Sequence, residues 1–63
     1  MNNQQLYNHI LAKVRAISSE NFVTFDSVEY IAVLKDSING NTEYRAKTLA
    51  ELKEIVDKEL KHD

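Results

Sequence analysis

Gly40, the only glycine in the chain, lies in the run Ser37-Ile38-Asn39-Gly40-Asn41 between two strand-like segments, and this placement constrains the fold more than any other feature. A short hairpin loop needs one residue at positive φ, which glycine adopts without steric cost. Downstream, Thr48-Leu49-Ala50-Glu51 spaces a hydroxyl and a carboxylate as a capping box does. A helix is therefore expected to start there, and residues 28–60 read as a β-hairpin running into an amphipathic helix.

The other elements follow from periodicity. Leu6, Ile10, Val14 and Ile17 recur at helical spacing, widened by Tyr7 and Leu11, and predict a first helix over roughly residues 3–17 capped by Asn2 or Asn3. Ser18-Ser19-Glu20-Asn21 is polar punctuation that ends it. Phe22-Val23-Thr24-Phe25 is aromatic and β-branched, hence a brief strand, and Asp26-Ser27 turns into a longer strand over residues 28–36. The third strand is expected over residues 42–47, and Leu49, Leu52, Ile55, Val56 and Leu60 form the stripe of the last helix. The expectation is one α+β domain over residues 1–63, in the order α-β-β-β-α, with two helices packed on one face of a three-stranded antiparallel sheet.

Hairpin register decides which side chains share a face. A two-residue Asn39-Gly40 loop would pair Leu34 with Arg45 and Ala32 with Lys47, setting apolar against basic. A three-residue loop Ile38-Asn39-Gly40 pairs Leu34 with Tyr44, Ala32 with Ala46 and Lys35 with Glu43, and is preferred because like meets like and charges match. The expected core face is then Val28, Tyr30, Ala32, Leu34, Tyr44 and Ala46, joined by Val23 and Phe25. The opposite face carries Ile31 and Val33 among Lys35, Arg45, Lys47, Glu29 and Glu43.

That second face is the candidate site, since two helices of this length cover only one side of the sheet. Exposed Ile31 and Val33 have a plain explanation, because β-branched residues favour strands wherever they point. Their other explanation is an interaction surface, an apolar centre rimmed by Lys35, Arg45 and Lys47. Such a surface could bind another protein, close a homodimer, or lie on a phosphate backbone. Three basic groups diluted by Glu29 and Glu43 would neutralise few phosphates, so a protein is favoured over nucleic acid.

Catalytic and metal chemistry find little to stand on. His9 lies off the apolar stripe with no acidic residue at helical spacing, which suits a solvated side chain better than a catalytic or ligating one. Glu51, Glu54, Asp57 and Glu59 interleave with Lys53, Lys58 and Lys61 as on a solvated helix face. Neither Ser18, Ser19 nor Ser27 has a histidine base in a nucleophile-elbow context, and Asn39-Gly40 lacks the glycines and lysine of a phosphate loop. With no cysteine there is no disulfide, thiolate metal site or thiol nucleophile, which fits a reducing compartment, and a cytoplasmic protein is expected. The apolar run Tyr30–Leu34 is far too short to span a bilayer, and Met1-Asn2-Asn3-Gln4-Gln5 has none of the marks of a leader. Ten acids against eight bases give a net charge of −2, too mild to dictate a partner. No enzyme, cofactor or metal is expected.

Two layouts are similar. The α-β-β-β-α order resembles the double-stranded-RNA-binding domain, a family with a lysine-rich cluster at the start of its second helix; the matching stretch Lys47-Thr48-Leu49-Ala50-Glu51-Leu52-Lys53 has two lysines with a glutamate between them. The hairpin passing through Lys47-Thr48 into a helix is similar to the arm-type DNA-binding domain of phage-family integrases. These resemblances imply nucleic-acid binding. Compact cysteine-free α+β chains of this size also resemble phage-encoded inhibitors, some of which block CRISPR nucleases. The leading expectation is a small non-enzymatic protein-interaction module, a phage or mobile-element regulator or inhibitor working by stoichiometric binding. Nucleic-acid binding and a structural homodimer seam are the alternatives.

Overall fold

The computed structural model describes residues 1–36, 38 and 40–60. Its elements run α1 (Asn3–Arg15), β1 (Phe22–Phe25), β2 (Tyr30–Leu34), β3 (Thr42–Ala46) and α2 (Leu49–Glu59). The strands form one antiparallel sheet in the order β1-β2-β3, so the α+β architecture expected from the pattern is present.

Each helix starts on a side-chain cap, but the reciprocal box is on α1 rather than α2. Asn2 Oδ1 accepts the Gln5 N–H at 2.8 Å while Gln5 Oε1 accepts the Asn2 N–H at 2.9 Å. At α2 the Thr48 hydroxyl accepts the Glu51 N–H at 3.1 Å, and the same hydroxyl lies 3.3 Å from the Glu51 carboxylate. That carboxylate bonds the hydroxyl, so only half of the expected box is made. Helix α1 ends two residues short of the expected boundary, because the Ile17 N–H tightens back onto Val14 O at 3.2 Å and Ile17 turns 47% exposed.

The β2–β3 register differs from the expected one by two residues. Tyr30 pairs with Ala46, Ala32 with Tyr44 and Leu34 with Thr42, in place of Ala32 with Ala46 and Leu34 with Tyr44. A shift of two preserves which face each side chain takes, so the face assignment survives. Side-chain size explains the choice, since between β2 and β3 each large residue on the helix-covered face now meets a smaller one, where the expected register set Leu34 against Tyr44. The connection accordingly spans residues 35–41 rather than three. Asp36 O accepts the Gly40 N–H at 3.0 Å, Asp36 Oδ1 accepts the Ile38 N–H at 2.8 Å, and Gly40 has φ +81° as a left-handed loop residue should. Ser37 and Asn39 lie outside the described residues.

The β1–β2 turn also takes more chain than expected. Asp26 Oδ1 accepts the amides of Val28 (2.9 Å) and Glu29 (2.7 Å), with Ser27 at φ +81°, so β2 begins at Tyr30 rather than at Val28. Val28, expected in the core, sits in this turn and is 68% exposed. Phe25 is likewise half-exposed at the end of its strand, its ring tilted on Tyr30 with centroids 4.7 Å apart.

Both helices pack on one face. Ile10 and Val14 of α1, Leu49, Leu52 and Val56 of α2, and Val23, Ala32 and Ala46 of the sheet form one buried cluster, flanked by half-buried Leu6, Tyr7, Leu11, Tyr30, Leu34, Tyr44, Ile55 and Leu60. Asn21 is the one buried polar side chain among the described residues. Its Nδ2 donates to Val14 O and its Oδ1 accepts the Lys35 N–H, both at 2.8 Å, while its own carbonyl accepts from Arg15 Nε at 3.2 Å. One amide thereby ties the end of α1 to the outgoing end of β2.

Candidate functional site

The face of the sheet away from the helices is built by strand alternation. Phe22 and Thr24 of β1, Ile31 and Val33 of β2, and Glu43 and Arg45 of β3 share it. Ile31 is flanked by Thr24 and Arg45, and Val33 by Phe22 and Glu43. The expectation that Ile31 and Val33 are exposed is corrected: they are 5% and 6% exposed, although no helix lies over them. On a sheet only three strands wide, long side chains on both edge strands fold over the central pair and shield it. What this face presents to a partner is therefore its flanking polar and charged groups.

Arg45 is held by three carboxylates. Its Nη2 lies 2.9 Å from Glu43 Oε1, and its Nη1 lies 3.3 Å from Asp26 Oδ2 and 3.8 Å from Glu29 Oε1. The hydrogen bond it donates to Glu43, more than any other influence, holds the guanidinium above even the usual arginine value. Asp26 is held below the usual carboxylate range, first by the Glu29 and Val28 amides and then, against a modest effect of burial, by Arg45. One cation among three anions makes this end of the face acidic.

The three bases expected to rim the site are not brought together. Lys35 lies at the opposite end of the face with its ammonium 5.9 Å from the centroid of the Phe22 ring. Lys47 is exposed beyond the end of β3, and Arg45 is neutralised between them. Asp26, assigned only a turn role by the sequence pattern, is the residue missed here. Its signal is the two-residue shift of register, which swings Arg45 opposite Ile31 and within reach of the turn.

A second polar cluster joins the helices. Asp57 Oδ1 lies 2.9 Å from His9 Nε2 and 3.0 Å from Lys13 Nζ, and Asp57 Oδ2 lies 2.8 Å from Lys53 Nζ. The ionised carboxylate only accepts, so His9 Nε2 carries the hydrogen. The acidic partner that His9 lacks on its own helix comes from α2. The signal was present as two i,i+4 pairs, His9 with Lys13 and Lys53 with Asp57, each beside an apolar stripe. Burial alone would raise the Asp57 carboxyl, but hydrogen bonds from Lys53, His9 and Lys13 outweigh it and hold the group well below the usual carboxylate range.

Asp57→Asn is expected to destabilise the fold by about 1.5 kcal/mol, less than three charged hydrogen bonds at full strength because these groups remain partly solvated. A carboxyl depressed in the folded state contributes fully above its ordinary value, near about 4, and the contribution fades as the pH falls through the lower folded-state value. Urea unfolding of the two proteins should therefore show a gap that is widest at neutral pH and narrows in acid. A gap independent of pH would mean that Asp57 acts through packing.

The geometry defines an α+β domain with an open antiparallel face. Compared with known protein families, curated proteins and solved structures, the chain matches none. Among the described residues, no helix is long and apolar enough to cross a membrane.

Proposed function

We propose that the protein is a non-enzymatic interaction module, working in the cytoplasm by stoichiometric binding of another protein on the open sheet face. The observation that carries this reading is the fixed charge arrangement there, in which Asp26, Glu29 and Glu43 surround Arg45 and leave an excess of two negative charges. Paired side chains have already given up conformational freedom, so a partner gains their contacts at a reduced entropic cost. The sign of the charge favours a basic protein surface and opposes a phosphate backbone. Size and layout agree with a phage-type regulator or inhibitor, which needs only to occupy its target.

Once a partner has been captured, Glu43→Lys should weaken the complex by about tenfold or more, as a contacting charge would, while Glu54→Lys on the exposed side of α2 should leave it unchanged. Equal affinity in both variants would move the site off this face. Duplex and single-stranded DNA and RNA should show no binding at low salt; a tight complex that weakens steeply with salt would transfer the function to nucleic acid.

A further inference from the structure

The sheet has two free edges, and they are built differently. Asp26 N–H donates to Glu29 O at 3.1 Å, which makes these residues a hydrogen-bonded pair at the mouth of the turn. Hydrogen-bonded pairs alternate along an antiparallel ladder, so Thr24 with Ile31 and Phe22 with Val33 carry the β1–β2 bonds. The backbone N–H and C=O groups of Val23 and Phe25 then point away from the sheet, and no turn, cap or loop backbone bond reaches them among the described residues. The same alternation turns the backbone groups of Glu43 and Arg45 outward on β3. Beside that edge stand charged side chains, the usual protection against strand pairing. β1 has none: Phe22-Val23-Thr24-Phe25 carries no charge and no proline, and pairs with β2 residue for residue without a bulge.

We propose that the outer edge of β1 receives β1 of a second copy of this chain, antiparallel about a twofold axis through Thr24, so that two sheets continue as one. The strand is self-complementary in this register. Val23 falls opposite Phe25 of the second copy and Phe25 opposite its Val23, so every outward N–H and C=O of both residues finds a partner. A twofold axis at Val23 would set Phe25 against Asn21, whose N–H is already bonded to Ser18 O, and one at Phe25 would set Val23 against Ser27 at its positive φ. Phe25, 52% exposed in one copy, gains cover from Val23 of the other, and Thr24 meets Thr24 as a β-branched pair with no like charges opposed. Because the remaining edges are the charged β3 strands, the contact closes at two copies rather than growing into a fibre. The open face stays free and is doubled, so this association is independent of the partner site proposed above.

Amide exchange followed by NMR over a range of protein concentrations reads the atoms involved. Val23 and Phe25 amides should exchange at least about tenfold more slowly at high concentration, in step with a dimer detected by sedimentation equilibrium. Thr24 faces its twin in a non-hydrogen-bonded pair, where Cα atoms stand about 4.5 Å apart, within disulfide reach. The chain has no cysteine, so Thr24→Cys in a glutathione redox buffer should give a single covalent dimer with both amides protected at every concentration. Sheets stacked face to face would leave the outward Val23 and Phe25 amides unpaired, so protection of these two amides distinguishes the edge-to-edge dimer from a stacked one. A protein that stays monomeric at millimolar concentration, or a dimer whose Val23 and Phe25 amides exchange as fast as in the monomer, overturns the proposal. Neither result bears on the Glu43→Lys test.

Discussion

Asn21→Ala is expected to cost about 3 kcal/mol, a third or more of the total stability of so short a domain. The side chain is 1% exposed and satisfies the Lys35 amide, while its bond to the Val14 carbonyl adds to those that carbonyl accepts from the Ile17 and Ser18 amides. Each buried group left unpaired costs about 1–3 kcal/mol, and a domain of this length has a total stability of only about 3–9 kcal/mol. Asn21→Asp separates the two bonds. It keeps the acceptor for Lys35 but turns a carboxylate toward the Val14 carbonyl, so it should be destabilised at neutral pH. It should recover as the pH falls, because the protonated acid can donate to that carbonyl as the amide did. Urea unfolding at two pH values checks both variants, and a loss below about 1 kcal/mol for Asn21→Ala would show that water replaces the amide.

Val33→Glu should be about as damaging, at about 3 kcal/mol or more, although Val33 lies on the face that the helices leave open. At 6% exposure the carboxylate would be trapped under Phe22 and Glu43, beside an existing negative charge. Thr24→Glu, on the same face but exposed, should change the stability of the monomer, measured at low protein concentration, by no more than about 0.5 kcal/mol. Thermal unfolding followed by circular dichroism distinguishes the two, and equal melting temperatures would mean that the cover over the central strand opens freely.

The contrast between these two positions shows how far the pattern of residues could be read. Element order, the stripes of both helices and the face taken by each strand residue follow from periods of 3.6 and 2, which are local properties. Register depends on matching sizes across strands. Hydrophobicity and charge favoured Leu34 with Tyr44, whereas Ala46 against Tyr30 and Ala32 against Tyr44 fill the space under the helices. Burial of Ile31 and Val33 depends on side chains from two other strands, and the Asn21 and Asp57 networks link groups up to 48 positions apart. No local period fixes any of these contacts, although the i,i+4 pairs, His9 with Lys13 and Lys53 with Asp57, mark the two halves of the Asp57 cluster. Of the five residues expected to contact a partner, Ile31 and Val33 support the face from beneath, Arg45 is enclosed by acids, and Lys35 and Lys47 are carried to opposite ends.

The clasp between His9, Lys13 and Asp57 also bears on how the chain reaches its fold. It closes a circuit of 48 positions between the first helix and the last, with both hairpins inside it. Hairpins and single helices form within microseconds from neighbouring residues, but docking α1 on α2 must first overcome the entropy of closing most of the chain. Once made, that contact places the apolar stripe of each helix against the other as well as against the sheet. Neither hairpin has a finished core without both helices, so the molecule should unfold as a single cooperative unit, and removal of either helix should release the whole structure rather than leave a stable half.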